Sequence, residues 1–191
     1  RSRYLAELKE FIAIPSISTS PDHRKDIRRC AEWIAAHLKE IGMQGIRIHP
    51  TKGHPIVYAE WLGAPGAPTI LLYGHYDVQP VDPVNLWTSP PFQATIRGEN
   101  VYARGTADDK GQVLIHFKGI EAFMKMEGRL PVNIKLLIEG EEEIGSEHLA
   151  GWVRANKKLL KADLVVISDT SMFAKGVPSL CYGLRGLSYM Q

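Results

Sequence analysis

Three apolar runs in this sequence end in groups that can hold a cation or move a proton. "ILLYGHYD" ends in His75 and Asp77, "IKLLIEGEEE" in Glu141, Glu142 and Glu143, and "LVVISD" in Asp169. A fourth stretch, "ARGTADDKG", adds Asp108 and Asp109. Strands of an open α/β sheet deliver their carboxyl ends to one edge, where ligands bind, so these residues are expected to meet in one crevice. Like charges gathered there repel one another unless a cation neutralises them or some carboxyls stay protonated. A divalent metal is the simplest solution. An imidazole with carboxylates and no thiolate suits Zn²⁺ in a hydrolytic site, and Mn²⁺ or Co²⁺ accept the same set. Taken singly, each motif has an ordinary explanation: a strand-end histidine bonded to a neighbour, a solvated acidic turn, an aspartate capping a turn. Their common place after buried strands is what favours the metal.

The elements that must position these groups follow from hydrophobic periodicity. Tyr4, Leu5, Leu8, Phe11 and Ile12 share one helical face, and Pro15 ends the pattern. From Asp22 to Ile41 a second amphipathic helix repeats Ile27, Cys30, Ile34, Leu38 and Ile41, with Gly42 placed to close it. "GIRIH", "IVYAEWL" and "TILLYGHYDV" read as strands, the last continuous enough to be covered on both faces. A long proline-bearing connection over 76–92 precedes a hairpin in "FQATIRGENVYARG". A helix over 110–127, a buried strand in "VNIKLLIEG", a helix over 145–160 and a final central strand in "DLVVISD" complete the series. That alternation predicts a three-layer α/β/α unit, a mixed, mostly parallel sheet with helices on both faces.

The bulk numbers bound the possibilities. With 191 residues, 45% of them hydrophobic, the chain fills one core. Its net charge of +2 comes from 23 basic and 21 acidic residues without a basic block, which argues against a nucleic-acid partner. No apolar stretch approaches the ~20 residues that span a bilayer, and no secretory leader is visible, so no membrane and a cytoplasmic setting are expected. Cys30 and Cys181 form no CxxC motif and read as semi-buried thiols. No GxGxxG follows a strand and no GKS or GKT occurs, which disfavours a nucleotide-binding module.

In order along the chain, "GHYDVQP", "LWTSPPF", "YARGTADDKG", "EGEEEIGS", "VISD" and "YGLRG" resemble the di-zinc metallopeptidases of the aminoacylase and carboxypeptidase G superfamily, in its carnosinase-like cytosolic dipeptidase branch. The resemblance implies hydrolysis of the peptide bond in dipeptides or short peptides by a water activated between two zinc ions. His75 and Asp169 would bind the first zinc, Asp108 would bridge the pair and Glu143 would bind the second. In such sites the ions lie ~3.5 to 4 Å apart. Asp77 would hold the other imidazole nitrogen of His75 and fix its tautomer. Glu142 would be the general base, taking a proton from the water and returning it to the leaving amine. A cis peptide between Asp108 and Asp109 is expected on the same ground.

The resemblance also implies parts that this sequence does not supply. Family members take the last ligand of the second zinc from a histidine far downstream, after an inserted lid or dimerisation domain that forms a homodimer. Residues 1–180 are therefore expected to be the catalytic-domain portion and 181–191 the start of the transition to a missing lid, leaving the isolated chain weak or inactive. His116 and His148 are expected to be structural or surface histidines rather than ligands. Two other functions compete: an N-acyl amino acid deacylase on the same core, and a non-catalytic metal-binding domain, against which the retained Glu142 argues.

Overall fold

The computed structural model describes residues 2–186 and 188. Helix α1 (Ser2–Ile12) buries Phe11 and Ile12, and α2 (Arg24–Glu40) buries the predicted stripe of Ile27, Cys30, Ile34 and Leu38. Strands β1 (Gln44–His49), β2 (Ile56–Trp61) and β3 (Thr69–His75) follow, then the hairpin of β4 (Thr95–Arg97) and β5 (Asn100–Tyr102). Helix α3 (Lys110–Glu127) stops at Gly128, whose φ of 68° sits in the left-handed region that glycine enters without a Cβ clash. Strand β6 (Asn133–Glu139), helix α4 (Leu149–Ala155) and strand β7 (Leu164–Ile167) complete the order.

The sheet runs β1-β2-β6-β3-β7. Strand β2 is antiparallel to both neighbours, while β6, β3 and β7 pair in parallel, so four of the five strands point the same way. Every residue of β6 is buried, the pattern of a strand covered on both faces. On one face Ile34 and Leu38 of α2 and Val113 and Phe117 of α3 join the core with Val57 and Leu136. On the other face Trp152 and Val153 of α4 lean on Tyr58, Leu71 and Leu137. Full burial of each large aliphatic side chain in these layers contributes about 2 kcal/mol. The three-layer α/β/α architecture predicted from the alternation is thus the one observed.

Three expectations need correction. The helix predicted over 145–160 is only α4, because Gly145 (φ 91°) and Ser146 (φ 52°) are left-handed and break any continuous helix after the short 3-10 turn Glu142–Ile144. The strand expected at the sheet's centre, β7, lies at its edge among the described residues, with Leu164, Val165 and Ile167 more than half exposed. Cys30 and Cys181 are not alike: the first is buried and the second exposed. Of the predicted transition at 181–191, residues 187 and 189–191 lie outside the described residues. Among the described residues no helix is long and apolar enough to cross a membrane.

Candidate metal centre

The strand ends meet as the apolar runs require. His75, the last residue of β3, is in register with Glu139 of β6, so those two C-terminal ends lie level, while β7 ends two residues short, at Ile167 opposite Tyr73. The His75 side chain is fully buried. Its Nε2 lies 3.0 Å from Asp108 Oδ1, 3.5 Å from Asp169 Oδ2 and 3.9 Å from Glu142 Oε2. Nitrogen and oxygen ligands bound tetrahedrally to one ion at ~2.0 Å stand about 3.3 Å apart, so these separations fit donors around a common cation. His75, Glu142 and Asp169 together offer ligand atoms within 4.8 Å of one another. Among the described residues the ion pairs of Asp108, Asp169 and Glu142 are all with His75, and no lysine or arginine neutralises them.

Behind the imidazole, Asp77 is also fully buried. Its carbonyl oxygen lies 3.1 Å and its carboxylate Oδ1 3.4 Å from His75 Nδ1. With Nδ1 holding its proton toward Asp77, Nε2 is the nitrogen left to bind a cation among the three carboxylates. The same carboxylate accepts the backbone N–H of Glu142 at 3.2 Å and of Glu143 at 3.1 Å, so Asp77 fixes both the imidazole and the acidic turn.

The carboxylates around His75 also shift its proton affinity and theirs. Burial disfavours the imidazolium, but the hydrogen bond and charge of Asp77, with the charges of Asp109 and Glu142, outweigh it and raise the His75 pKa to about 10. Glu142 is pushed up chiefly by burial and further by Glu143, Asp169 and Asp77, against the opposing pull of His75. A proton on His75 thus stands where the donor set suits a divalent ion.

Several supports surround this set; of them the sequence points to Asp109 and to the Asp108–Asp109 cis peptide, and not to the rest. Asp109 Oδ2 accepts the backbone N–H of His75 at 3.0 Å, while burial raises its pKa to about 7 and its Oδ1 has no partner. The Asp108–Asp109 peptide is cis. Gly74 permits α3 to approach this closely, because a Cβ there would meet Val113 Cγ2 at 2.5 Å and Asp109 Oδ2 at 2.8 Å. The fully buried Lys110 donates to the carbonyls of Phe11 (3.2 Å) and Ile14 (2.6 Å), tying α1 to the start of α3. Glu139 Oε1 accepts from Tyr73 Oη at 2.5 Å and Ser146 Oγ at 2.8 Å, which anchors the far side of the acidic turn. For Tyr73, Gly74, Lys110, Glu139 and Ser146 the only sequence signals were membership of, or adjacency to, "GHYD", "ADDKG" and "EGEEEIGS".

Of the named residues, the structure brings together His75, Asp77, Asp108, Glu142 and Asp169. Glu143 points elsewhere, its Oε2 accepting from Gln79 Nε2 at 2.7 Å. His148 pairs with buried Glu141 at 2.9 Å and His116 with Ser168 at 2.7 Å, both outside the cluster. A second acidic and histidine cluster, Glu7, His37 and Glu121, already surrounds a cation: the Lys118 ammonium contacts all three.

Comparison with known proteins adds to this geometry. A model of peptidase family M20/M25/M40 matches residues 71–181. The chain is 37% identical over 190 residues to a cysteinylglycine-S-conjugate dipeptidase of Corynebacterium striatum, covering 97% of itself and 41% of that protein. It is 34% identical over 203 residues to a human Beta-Ala-His dipeptidase, covering 99% of itself and 40% of that protein. Among solved structures, human carnosine dipeptidase 1 superimposes with a TM-score of 0.82 at 34% identity, over 88% of this chain and 38% of that one. An M20 family metallo-carboxypeptidase from Sulfolobus solfataricus gives 0.79 at 41% identity, over 86% and 36%. The chain therefore spans about two fifths of the length of the curated relatives it matches.

Proposed function

Because this chain belongs to peptidase family M20/M25/M40, we propose that the protein is a metal-dependent dipeptidase whose first ion is held by His75, Asp108 and Asp169. The observation that carries this reading is the buried His75 Nε2 facing three carboxylates at 3.0 to 3.9 Å without a lysine or arginine partner among the described residues. A divalent ion bound there supplies a Lewis acid for the scissile carbonyl and lowers the pKa of water. Asp77 keeps the His75 proton on Nδ1. Glu142 Oε2, held on its turn by Asp77, takes a proton from the attacking water and delivers it to the leaving amine. The raised Glu142 pKa suits a group that must both accept and return that proton.

The printed names of the relatives, a cysteinylglycine-conjugate dipeptidase and a Beta-Ala-His dipeptidase, favour dipeptides over N-acyl amino acids as the substrate class. Zinc is the metal we assign, on the histidine and carboxylate donors. Asp108 and Glu143 would hold a second ion, for which the Glu143 carboxylate would have to leave its bond to Gln79. No described histidine pairs with Glu143, so its remaining donor is assigned to the part of the protein outside this sequence, together with a lid through which two protomers pair. Residues 1–180 form the catalytic portion in this reading, and the setting is the cytoplasm.

The test is Glu142→Ala in the full-length natural protein, assayed on a dipeptide and on an N-acetyl amino acid. Loss of dipeptide hydrolysis by 10² to 10⁴-fold with zinc still bound is expected for removal of a general base. Unchanged turnover would remove Glu142 from the mechanism, and faster turnover of the N-acetyl amino acid would move the substrate class to deacylation.

A further inference from the structure

Asp169 lies beyond the reach of the sheet that should hold it. The last ladder pair of β7 is Ile167 with Tyr73, and β7 has only β3 beside it among the described residues. Ser168, Asp169 and Thr170 therefore need anchors other than the ladder, beyond the local bond from Thr170 N–H to the Ser168 carbonyl at 2.8 Å. Helix α3 provides them from one face. Gln112 and His116 stand one turn apart, at i and i+4, and point the same way. His116 Nε2 lies 2.7 Å from Ser168 Oγ. Gln112 Nε2 donates to the Ala107 carbonyl at 2.8 Å and to the Thr170 carbonyl at 3.3 Å.

One side-chain amide thus bridges the residue before Asp108 and the residue after Asp169. Its orientation is defined, since a flip would set Oε1 against two carbonyl oxygens. Gln112 Oε1 is itself buried without a partner, a cost that the two donated bonds offset. The start of the same helix presents Asp109, whose carboxylate accepts the His75 N–H at 3.0 Å. The segments bearing His75, Asp108 and Asp169 all register on the first two turns of α3.

We propose that Gln112 and His116 are positioning residues that clamp the Asp169 segment to the Asp108 segment, setting the carboxylate spacing of the metal centre. Their bonds go to Ala107, Ser168 and Thr170, beside the ligand carboxylates rather than to them. Ligand sets held loosely bind more weakly, and loss of an outer hydrogen-bond partner typically lowers metal affinity about 10 to 100-fold. The inference rests on the metal-centre reading above, and its failure is separable from failure of that reading.

The experiment titrates Zn²⁺ into the demetallated full-length protein by calorimetry and records the visible spectrum of the Co²⁺-loaded form. Wild type, His75→Ala, Gln112→Ala, His116→Ala and His116→Gln are compared, with apo melting temperatures alongside. High-affinity binding in wild type that His75→Ala abolishes supports the metal centre. Given that, about 10 to 100-fold weaker binding in both α3 alanine variants, an altered Co²⁺ spectrum, unchanged apo melting and recovery in His116→Gln are expected. Binding within twofold of wild type in Gln112→Ala and His116→Ala, or a loss that tracks apo melting and is not restored in His116→Gln, overturns the clamp while leaving the metal centre intact. Wild-type binding indifferent to His75→Ala overturns both.

Discussion

Asp77 Oδ1 lies 3.4 Å from His75 Nδ1, with both side chains fully buried at the end of one strand. Because Asp77 also accepts the N–H groups of Glu142 and Glu143, one carboxylate couples the ligand's tautomer to the position of the proposed base. Asp77→Asn keeps the shape and removes the charge. It should weaken zinc binding about 10 to 100-fold, and zinc titration of the variant checks this. Unaltered affinity would show that the Asp77 carboxylate is not needed and that its carbonyl oxygen, 3.1 Å from Nδ1, suffices to set the tautomer.

The raised His75 pKa makes metal uptake a proton-coupled event. With a pKa of about 10 in the metal-free protein, His75 is protonated at pH 7, and an ion can take Nε2 only as a proton leaves. Calorimetry in buffers of differing ionisation enthalpy should find about one proton or more released per first ion, and affinity should climb as pH rises toward 10. An imidazole with the ordinary pKa of ~6.5 would contribute about a quarter of a proton.

Away from the centre, Glu121 of α3 ties to α1 through Arg3 (2.6 Å) and pairs within its own helix with Lys118 (2.9 Å) and Lys125 (2.5 Å). Burial opposes its ionisation, but hydrogen bonds from Lys125, Lys118 and Arg3 outweigh this and hold its pKa down at about 2. A depressed carboxylate pKa stabilises the fold above the unfolded value, and that contribution is lost as pH falls through the folded one. Glu121→Gln should cost about 2 kcal/mol at neutral pH, discounted for the exposed Arg3 and Lys125 ends. The difference from wild type should shrink between pH ~4.5 and about 2. Denaturant unfolding across that range measures it, and a pH-independent difference would contradict the assignment.

Gly74→Ala sets a methyl against Val113 Cγ2 and Asp109 Oδ2. Overpacking between β3 and α3 should cost about 1 to 3 kcal/mol and weaken zinc binding, since α3 would have to move off the strand that carries His75. Denaturant midpoints and zinc titration read the two effects separately. Full stability in this variant would mean that the β3–α3 contact is looser than described.

The layered fold was readable because burial dictates pattern. The continuous apolar run of β3 and the 3.6-residue stripes of α1 and α2 can each be satisfied in few ways. What hid from the sequence depended on local backbone and on long-range pairing. Left-handed Gly145 and Ser146 cut short the helix read over 145–160. The apolar composition of β7 suggested a centre, yet it lies at an edge among the described residues. In the candidate site, His75, Asp77, Asp108, Glu142 and Asp169 stood out by their place after strands or in "ADDKG". Asp109 stood out only as part of the acidic crevice, His116 only as a histidine that was not a ligand, and Gln112 not at all, because their work is to hold other residues, and nothing in residue type announces a hydrogen bond to a carbonyl 58 positions away, as from Gln112 to Thr170.

The most direct measurement is an anomalous difference map across the zinc absorption edge, from crystals of the full-length natural protein grown with zinc. The account predicts a peak about 2 Å from His75 Nε2, with the Asp108 and Asp169 carboxylates completing its protein ligands. A crystal in which zinc binds elsewhere, with His75 still hydrogen-bonded to Asp108 and no peak between them and Asp169, would contradict it.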